Sequence, residues 1–519
     1  MAKNPSGRIQ DLRSKMKKKF PGNMKILHIT TELTPLAKAG GLGDIVGYLP
    51  KAMANEFPVD IKIMMACYKT IDLKKYNAEL IIEDLKIELP DGKKKIKVSV
   101  WKTYLPNTEI PVYLIDFDNF FSPKDDGIYL SNIATSYEDV PYFLYNLISK
   151  ITLDLVKIMD WYPDVIHYHD SFEALTSKWL NIKYQKHSSY RKIATVMTIH
   201  NLATQPKFRL TAATKLGFKR KDFSRVNKIL KTKVINLTAE AIDNVDMMNT
   251  VSPTYAKEVL SKKYGAGLNK LLKMHKKQFT GIVNGIDYTD FDPRTNKDTP
   301  VNYGTTSLYK KVENKLYLQK KLGLTQSAEL PLICAVTRIV GQKGVDLMED
   351  VLKDLVDMGA QFVILGSGYG RELEKIFIKA EKENPKEIAA EIGFDANFAQ
   401  TIYAGADMLL MPSRYEPCGL SQIIAMRFGT VPIVRKTGGL ADTVKDGKTG
   451  FVFKEYDKNA FLWSIRRAVD LYYNDKEAWQ KMQVNCMKED FSWEKSAKKY
   501  MWLYRKAVSN HKNYLNGLK

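Results

Sequence analysis

Five loops hold the residues of this chain that could do chemistry. The first, Lys38-Ala39-Gly40-Gly41-Leu42-Gly43-Asp44, combines glycines that let backbone N–H groups approach an anion with the compact charge of Lys38, as a diphosphate cradle would. A helix starting at Ile45 with Asp44 as its N-cap accounts for the same residues. The spacing Gly41-x-Gly43-x-x-x-Gly47 is neither the dinucleotide fingerprint nor a P-loop. The second loop follows Asp164-Val165-Ile166-His167-Tyr168-His169-Asp170. Two His and an Asp at a strand end can bind a metal, orient a substrate hydroxyl or cap the next helix; with no third ligand nearby in sequence, metal is the weakest of the three. The third, Thr198-Ile199-His200-Asn201, delivers another His from a strand end, for substrate or for a structural hydrogen bond. In the fourth, Thr337-Arg338-Ile339-Val340-Gly341-Gln342-Lys343-Gly344, two cations flank a turn and can converge on one anion, or stand solvated. The fifth is the densest: residues 411–422 (MPSRYEPCGLSQ) and 435–443 (RKTGGLADT) surround Glu416 with irregular, glycine-rich backbone. A carboxylate beside two cationic, glycine-rich loops suits a sugar held next to a diphosphate.

These loops need a frame that brings strand ends together. Short apolar runs at 24–30, 59–66, 110–116, 163–167, 193–199, 331–336, 361–365, 407–412 and 430–434 predict buried strands. Helical periodicity at 141–160, 343–358 and 415–428 alternates with them, so the fold class is α/β with parallel sheets. The alternation starts twice, at Met24 and at Pro331, after a polar stretch over 284–306. Two doubly wound domains are therefore expected, with a boundary near residue 280. Ligands gather at the carboxyl ends of strands in such domains.

The remaining composition narrows the function. A chain of 519 residues with 45% hydrophobic and 27% charged residues excludes disorder and a single small module. The net charge of +22 invites a nucleic-acid or membrane-surface partner. Only 15 of the 80 basic residues are Arg, and Arg466-Arg467 is the one Arg cluster, so the excess reads as Lys-rich solvated surface with neither nucleic acid nor membrane as partner. No run approaches the length of a spanning helix. Residues 1–23 carry seven Lys/Arg and one acid with no apolar core, which predicts a basic disordered tail rather than a secretory signal. Four scattered cysteines, Cys67, Cys334, Cys418 and Cys486, offer neither zinc spacing nor a disulfide framework and suit a reducing, cytoplasmic setting, or a plastid if the source is a plant or alga.

Six strings in order, KAGGLGD (38–44), NTVSPTYAKEV (249–259), IVNGID (282–287), TRIVGQKG (337–344), EPCGL (416–420) and RKTGGLADTV (435–444), resemble the glycogen and starch synthases of glycosyltransferase family 5. The likeness runs from Lys25 to about Tyr504. It implies a GT-B fold, two Rossmann-like doubly wound domains facing an interdomain cleft, with an acceptor-side domain over 24–280, a nucleotide-sugar domain over 281–490, and a helix over 491–519 that crosses back to the first domain. It further implies retaining transfer of glucose from ADP-glucose, the family default, or UDP-glucose, to the non-reducing 4-hydroxyl of an α-1,4-glucan, with no metal and no cofactor because the nucleotide sugar is a substrate.

By the same resemblance Lys38, Gly41 and Asp44 belong to the loop that meets the donor, Asp170 to the acceptor side and His200 to the donor glucose. Asn284 lies in a turn near the donor. Arg338 and Lys343 neutralise the leaving diphosphate, and Phe394 stacks on the base. Glu416 and Cys418 meet the donor glucose, and the backbone of Gly438, Gly439 and Leu440 reaches phosphate. The chain departs from the family pattern where His-Asp-Trp-His becomes His169-Asp170-Ser171-Phe172, where Ala-Tyr-Gln-Gly becomes Ala203-Thr204-Gln205-Pro206, and where Phe394 replaces a Tyr. Family 4 enzymes of the sucrose or trehalose-phosphate type carry a second Glu eight positions after the first, where this chain has Ile424. Asp116-x-Asp118, the pattern of metal-dependent transferases, stands without supporting context. A catalytically weak glucan-binding member of the fold is the alternative from another class; Lys38, His200, Arg338, Lys343 and Glu416, all present, speak against it.

Overall fold

The computed structural model describes residues 23–117, 140–368, 371–393 and 395–517. The basic tail, apart from Asn23, together with Asp118 and Phe394, lies outside the described residues. Among those described, the chain divides into two units. Unit 1 comprises residues up to Val251, Ala256–Ile282 and the chain from Trp493 onward; unit 2 comprises Ser252–Tyr255 and Val283–Ser492. The short excursion at 252–255 was not visible in the periodicity.

Unit 1 is built on a nine-stranded sheet. Its strands are β1 (Met24–Ile29), β2 (Val59–Ala66), β3 (Glu79–Glu88), β4 (Lys95–Tyr104), β5 (Pro111–Phe117), β6 (Val165–His169), β7 (Ala194–Ile199), β10 (Met247–Thr250) and β11 (Phe279–Gly281), with β8 (Lys207–Arg209) and β9 (Val234–Asn236) forming a separate pair. The order is β11-β10-β7-β6-β1-β2-β5-β4-β3. All neighbours from β11 to β5 run parallel, and β6 and β7 are buried at every position, as expected of strands covered on both faces. The β3–β4 pair is antiparallel at the sheet edge. It was missed because its alternation is masked: β3 is mostly exposed, and its register shifts on either side of Ile82, which puts successive apolar residues out of phase.

The helix Gly41–Glu56 buries Leu42, Ile45, Val46, Leu49, Ala52 and Met53, one apolar stripe at helical spacing. Gly47 lets it sit against the loop after β1: a Cβ there would lie 2.7 Å from the Thr34 carbonyl oxygen. The helix Trp493–Gly517 buries Trp493, Ala497, Tyr500, Met501, Tyr504 and Ala507 and packs on the helix Gly41–Glu56 and on β7 and β10. It brings polar groups into the core as well. Tyr504 Oη lies 2.8 Å from His167 Nδ1, Asn249 Nδ2 donates to Tyr500 Oη at 3.2 Å, and His511 bridges Asp246 and the Arg191 carbonyl, each at 2.9 Å.

Unit 2 has a six-stranded parallel sheet of β12 (Leu332–Val336), β13 (Gln361–Gly366), β14 (Ile388–Ile392), β15 (Met408–Met411), β16 (Val431–Arg435) and β17 (Phe451–Phe453), in the order β14-β13-β12-β15-β16-β17. The helix Val345–Asp357 covers it with Val345, Leu347, Met348, Val351, Leu352 and Leu355. Beneath the sheet, the Lys311 ammonium donates to the carbonyls of Tyr403, Ala404 and Phe428 and to Thr430 Oγ1. Burial lowers its pKa to about 7. The expected helix over 415–428 is shorter than its periodicity: only Ser421–Arg427 is helical, because Pro417 and a left-handed Gly419 at φ +75° hold 412–420 irregular.

Replacing Tyr504 by Phe leaves His167 Nδ1 without a partner and is expected to cost about 1–3 kcal/mol. Tyr504→Ala also opens a cavity and is expected to cost about 3–5 kcal/mol. Denaturant unfolding measures both, and an unchanged midpoint for Tyr504→Phe would contradict the role of the hydroxyl.

Candidate active site

In unit 1 the chain leaves β1 toward β2 on one side and later adds β6 on the other. The loops after β1 and β6 therefore diverge at the carboxyl edge, the place where such sheets bind ligands. The loop after β1 carries Lys38, Gly41 and Asp44. Its helix begins at Gly41 rather than Ile45, and Asp44 does not cap it, since the N-cap position is Gly40. Asp44 lies in the first turn, where a carboxylate faces the positive end of the helix. Its Oδ1 accepts from Thr34 Oγ1 at 3.0 Å and pairs with Lys38 Nζ at 2.7 Å. The N–H groups of Ala39 and Gly40 donate to Glu32 Oε2 at 2.8 and 2.6 Å. A carboxylate buried so soon after a strand requires donors, so two amides that a phosphate cradle would offer serve Glu32 instead. Sequence reasoning passed over Glu32, since nothing about a lone acid after a strand announces that it will be buried.

The loops after β6 and β7 meet through Asp170. This residue adopts the left-handed conformation at φ +56°, and its Oδ1 accepts the backbone N–H of His200 at 2.7 Å and of Asn201 at 3.4 Å. Asp170 thus orients the His200 turn from behind. Burial pushes its carboxyl up to about 7, against the two N–H donors, which pull the other way. Ser171 and Phe172, which stand where the family pattern has an indole and an imidazole, are buried at 1% and 8% exposure and offer no exposed platform.

The third ligand that sequence spacing did not supply is provided by the sheet. His28 of β1 pairs in register with His167 of β6, and the ring nitrogens of His28, His167 and His169 lie within 4.8 Å of one another. His167 is already committed. Thr198 Oγ1 donates to Asn249 Oδ1 at 2.8 Å, so at its 2.7 Å contact with His167 Nε2 it must accept. His167 is therefore protonated on Nε2 and takes the Tyr504 hydroxyl proton on Nδ1. No lone pair remains for a cation. His200 Nε2 lies 3.1 Å from His169 Nδ1, and burial lowers the His200 pKa to about 3, which keeps it neutral.

In unit 2 the strand order reverses between β12 and β15, and the two loops leaving that point are the ones carrying Arg338, Lys343, Glu416 and Cys418. They are tied together. Lys343 Nζ contacts Glu416 Oε2 at 2.5 Å, Ser413 Oγ donates to the same oxygen at 3.0 Å, the Arg414 N–H donates to the Gln342 carbonyl at 2.9 Å, and Gln342 Nε2 donates to the Tyr415 carbonyl at 3.2 Å. Glu416 is 4% exposed. Arg338 is exposed and reaches Gln342 Oε1 at 3.4 Å, so the two cations are held differently, Lys343 by a carboxylate and Arg338 by an amide oxygen. The loop after β16 packs against the Glu416 segment: a Cβ on Gly438, at φ +44°, would lie 1.8 Å from the Glu416 carbonyl oxygen, and the Gly439 N–H donates to that oxygen at 3.0 Å. Only glycine fits there. The Leu440 side chain is fully buried, leaving its backbone alone as a binding element. Asn284 donates its backbone N–H to the buried Cys418 thiol, and its side-chain oxygen is buried without a partner among the described residues. Burial pushes the Cys418 thiol up to about 12.

The raised pKa of Asp170 has a signature. The folded state holds a proton that the unfolded chain releases near about 3.9, so between that pH and about 7 stability falls as pH rises. Asp170→Asn keeps an acceptor oxygen but cannot ionise. Its Tm relative to the unaltered chain is expected to improve from about pH 4 to about pH 7 and to level off above that, as differential scanning fluorimetry would show. A difference independent of pH would refute the raised pKa.

Residues 25–274 match the family described as starch synthase catalytic domain, and residues 323–483 the family described as glycosyl transferases group 1. The glycogen synthase of Thermosipho melanesiensis is 40% identical over 494 residues, 94% of this chain and 99% of the relative. That of Desulforudis audaxviator is 37% identical over 94% of this chain and 97% of its own. Among solved structures, the catalytic domain of starch synthase IV from Arabidopsis thaliana, bound to ADP and acarbose, is 31% identical with a TM-score of 0.85, covering 94% of this chain and 100% of that one. Sucrose-phosphate synthase from Thermosynechococcus elongatus, 16% identical with a TM-score of 0.57, shares the fold alone. With the two strand-order reversals that carry its polar loops, the chain has the GT-B fold and belongs to the glycogen and starch synthase family of glycosyltransferases.

Proposed function

We propose that this glucan synthase transfers glucose from ADP-glucose to the non-reducing 4-hydroxyl of an α-1,4-glucan with retention of the α configuration. The observation that carries the reading is the Lys343–Glu416 pair, which places a cation and a carboxylate side by side at the strand-order reversal of unit 2. The barrier to such a transfer is departure of a diphosphate from a sugar that becomes oxocarbenium-like. Lys343, with Arg338, stabilises the negative charge growing on the leaving group, worth most where water is excluded. Glu416 accepts from hydroxyls of the bound glucose, and its charge is in turn fixed by Lys343 and Ser413. The Asn284 carbonyl oxygen and the backbone of Gly438, Gly439 and Leu440 complete the donor contacts, and Phe394 stacks on the base. Lys38, Gly41 and Asp44 serve the donor from the loop after β1, His200 lies against the transferred glucose, and Asp170 holds His200. The leaving phosphate accepts the proton of the incoming hydroxyl, so no side chain acts as nucleophile. The reaction calls for no metal or cofactor; the nucleotide sugar is consumed.

The starch synthase bound to ADP supports an adenine donor over a uridine one. Absence of a helix long and apolar enough to cross a membrane among the described residues suits a cytoplasmic enzyme.

Arg338→Ala and Lys343→Ala are each expected to lower kcat by about 10²–10³. Arg338→Ala, at an exposed position, should leave thermal stability unchanged. Incubation with glycogen and either ADP-glucose or UDP-glucose, read as nucleotide release, tests the whole reading. A higher kcat/KM with ADP-glucose is expected; no release with either donor from folded protein would refute it.

A further inference from the structure

Three histidines of unit 1, His28, His169 and His200, form a single hydrogen-bonded chain. His28 Nδ1 lies 3.4 Å from His169 Nε2, and His169 Nδ1 lies 3.1 Å from His200 Nε2. His28 and His169 are fully buried. At the far end, His28 Nε2 is buried with no partner among the described residues. At the near end, His200 Nδ1 has no protein partner among the described residues, and the ring is half-buried. Burial lowers the pKa of His28 to about 3 and of His169 well below its ordinary value, so each ring carries one proton.

One proton per ring makes the chain all-or-none. If His28 donates from Nδ1, His169 accepts on Nε2 and must donate from Nδ1, and His200 accepts on Nε2 and must carry its own proton on Nδ1. If the chain runs the other way, all three rings are protonated on Nε2, and His200 presents a bare lone pair. Any mixed arrangement breaks one of the two bonds. The orphan atom His28 Nε2 decides between them. In the first arrangement it is an unprotonated nitrogen; in the second it is a buried N–H with nothing to receive it, and orphaned buried N–H groups are the rarer and costlier case.

We infer that His28 and His169 are positioning residues that fix His200 as the Nδ1-protonated tautomer, so that it offers the substrate a hydrogen-bond donor at the ring nitrogen that no protein group occupies. The inference rests on the reading of His200 as the group against the transferred glucose. A neutral donor suits that place. It satisfies a sugar oxygen, and it adds no positive charge beside a ring that becomes cationic as the diphosphate departs. His28, two strands away from β7 in the sheet, then acts on the reaction with no contact of its own to substrate.

The test uses the full chain labelled with ¹⁵N-histidine, in which two-bond couplings report which nitrogen of each ring is protonated. His167, protonated on Nε2 through its bond to Thr198, is the internal reference for the opposite tautomer. His28, His169 and His200 are expected as Nδ1-protonated. His28→Phe removes the donor at the head of the chain; His28→Asn restores an N–H where Nδ1 stood. With His28→Phe, the His200 signal should become a mixture of tautomers and kcat should fall roughly tenfold, with KM for the donor sugar changed less than about twofold. His28→Asn should restore both the tautomer and most of kcat. An Nε2-protonated His200 in the unaltered chain would overturn the inference, as would a His200 tautomer unmoved in His28→Phe. Equal losses in His28→Phe and His28→Asn that follow their thermal stability would likewise reduce His28 to a packing residue. Should His200→Ala keep full turnover while the tautomers read as expected, the assignment of His200 to the substrate would fall and the chain of tautomers would stand.

Discussion

Parallel strands covered on both faces leave charge nowhere to go except their ends, and this constraint organises both units. β6, β7, β13, β15 and β16 have no exposed position. A charged side chain placed within them would be desolvated without compensation. The cations and carboxylates that matter to the site therefore all follow a strand: Lys38 and Asp44 after β1, Asp170 after β6, Arg338 and Lys343 after β12, Glu416 after β15. The histidines that sit inside β1 and β6, His28, His167 and His169, are held neutral by the same burial, which converts them from charges into carriers of hydrogen-bond direction.

Each unit then solves one problem, holding irregular loops steady at a point where neighbouring strands send the chain in opposite directions. Unit 2 uses an ion pair. Lys343 and Glu416 join the loops after β12 and β15, with Ser413 and Gln342 closing the remaining donors and acceptors. Unit 1 uses carboxylates on backbone amides instead, Glu32 on Ala39 and Gly40 and Asp170 on His200 and Asn201. Side chains aimed at a backbone fix the path of a loop without using up the cation or imidazole the loop presents. His200 keeps its Nδ1 clear of protein partners among the described residues for that reason, whereas Lys38 is paired with Asp44.

The motifs that were legible in the chain are those in which neighbouring residues are also neighbours in space. Arg338 and Lys343 flank one turn, and Pro417 and Gly419 announce broken helix around Glu416. The nine apolar runs named from the sequence all became strands, because buried parallel strands advertise themselves by composition. The β3–β4 hairpin did not, since half its residues face solvent and register shifts interrupt the period. Of the readings open for Asp44, the helix cap did not form, because an acid near a helix start has two good positions and its Oδ1 accepts from the Thr34 hydroxyl of the same loop.

Taken alone, the chain specifies two α/β units, the family and the residue types its loops must carry, since apolar period, glycine placement and contiguous motifs are all local. Pairing across strands is not local, and there the tertiary structure decided. The β1–β6 register sets His28 beside His167 and 3.4 Å from His169, residues 141 positions apart that no spacing rule connects. The C-terminal helix returns Tyr504 to His167 across 337 positions, where its hydroxyl meets the ring nitrogen that the Thr198 contact leaves unprotonated. Which nitrogen bears a proton depends on partners brought together only by folding, and that choice sets whether the Nδ1 edge of His200 donates or accepts.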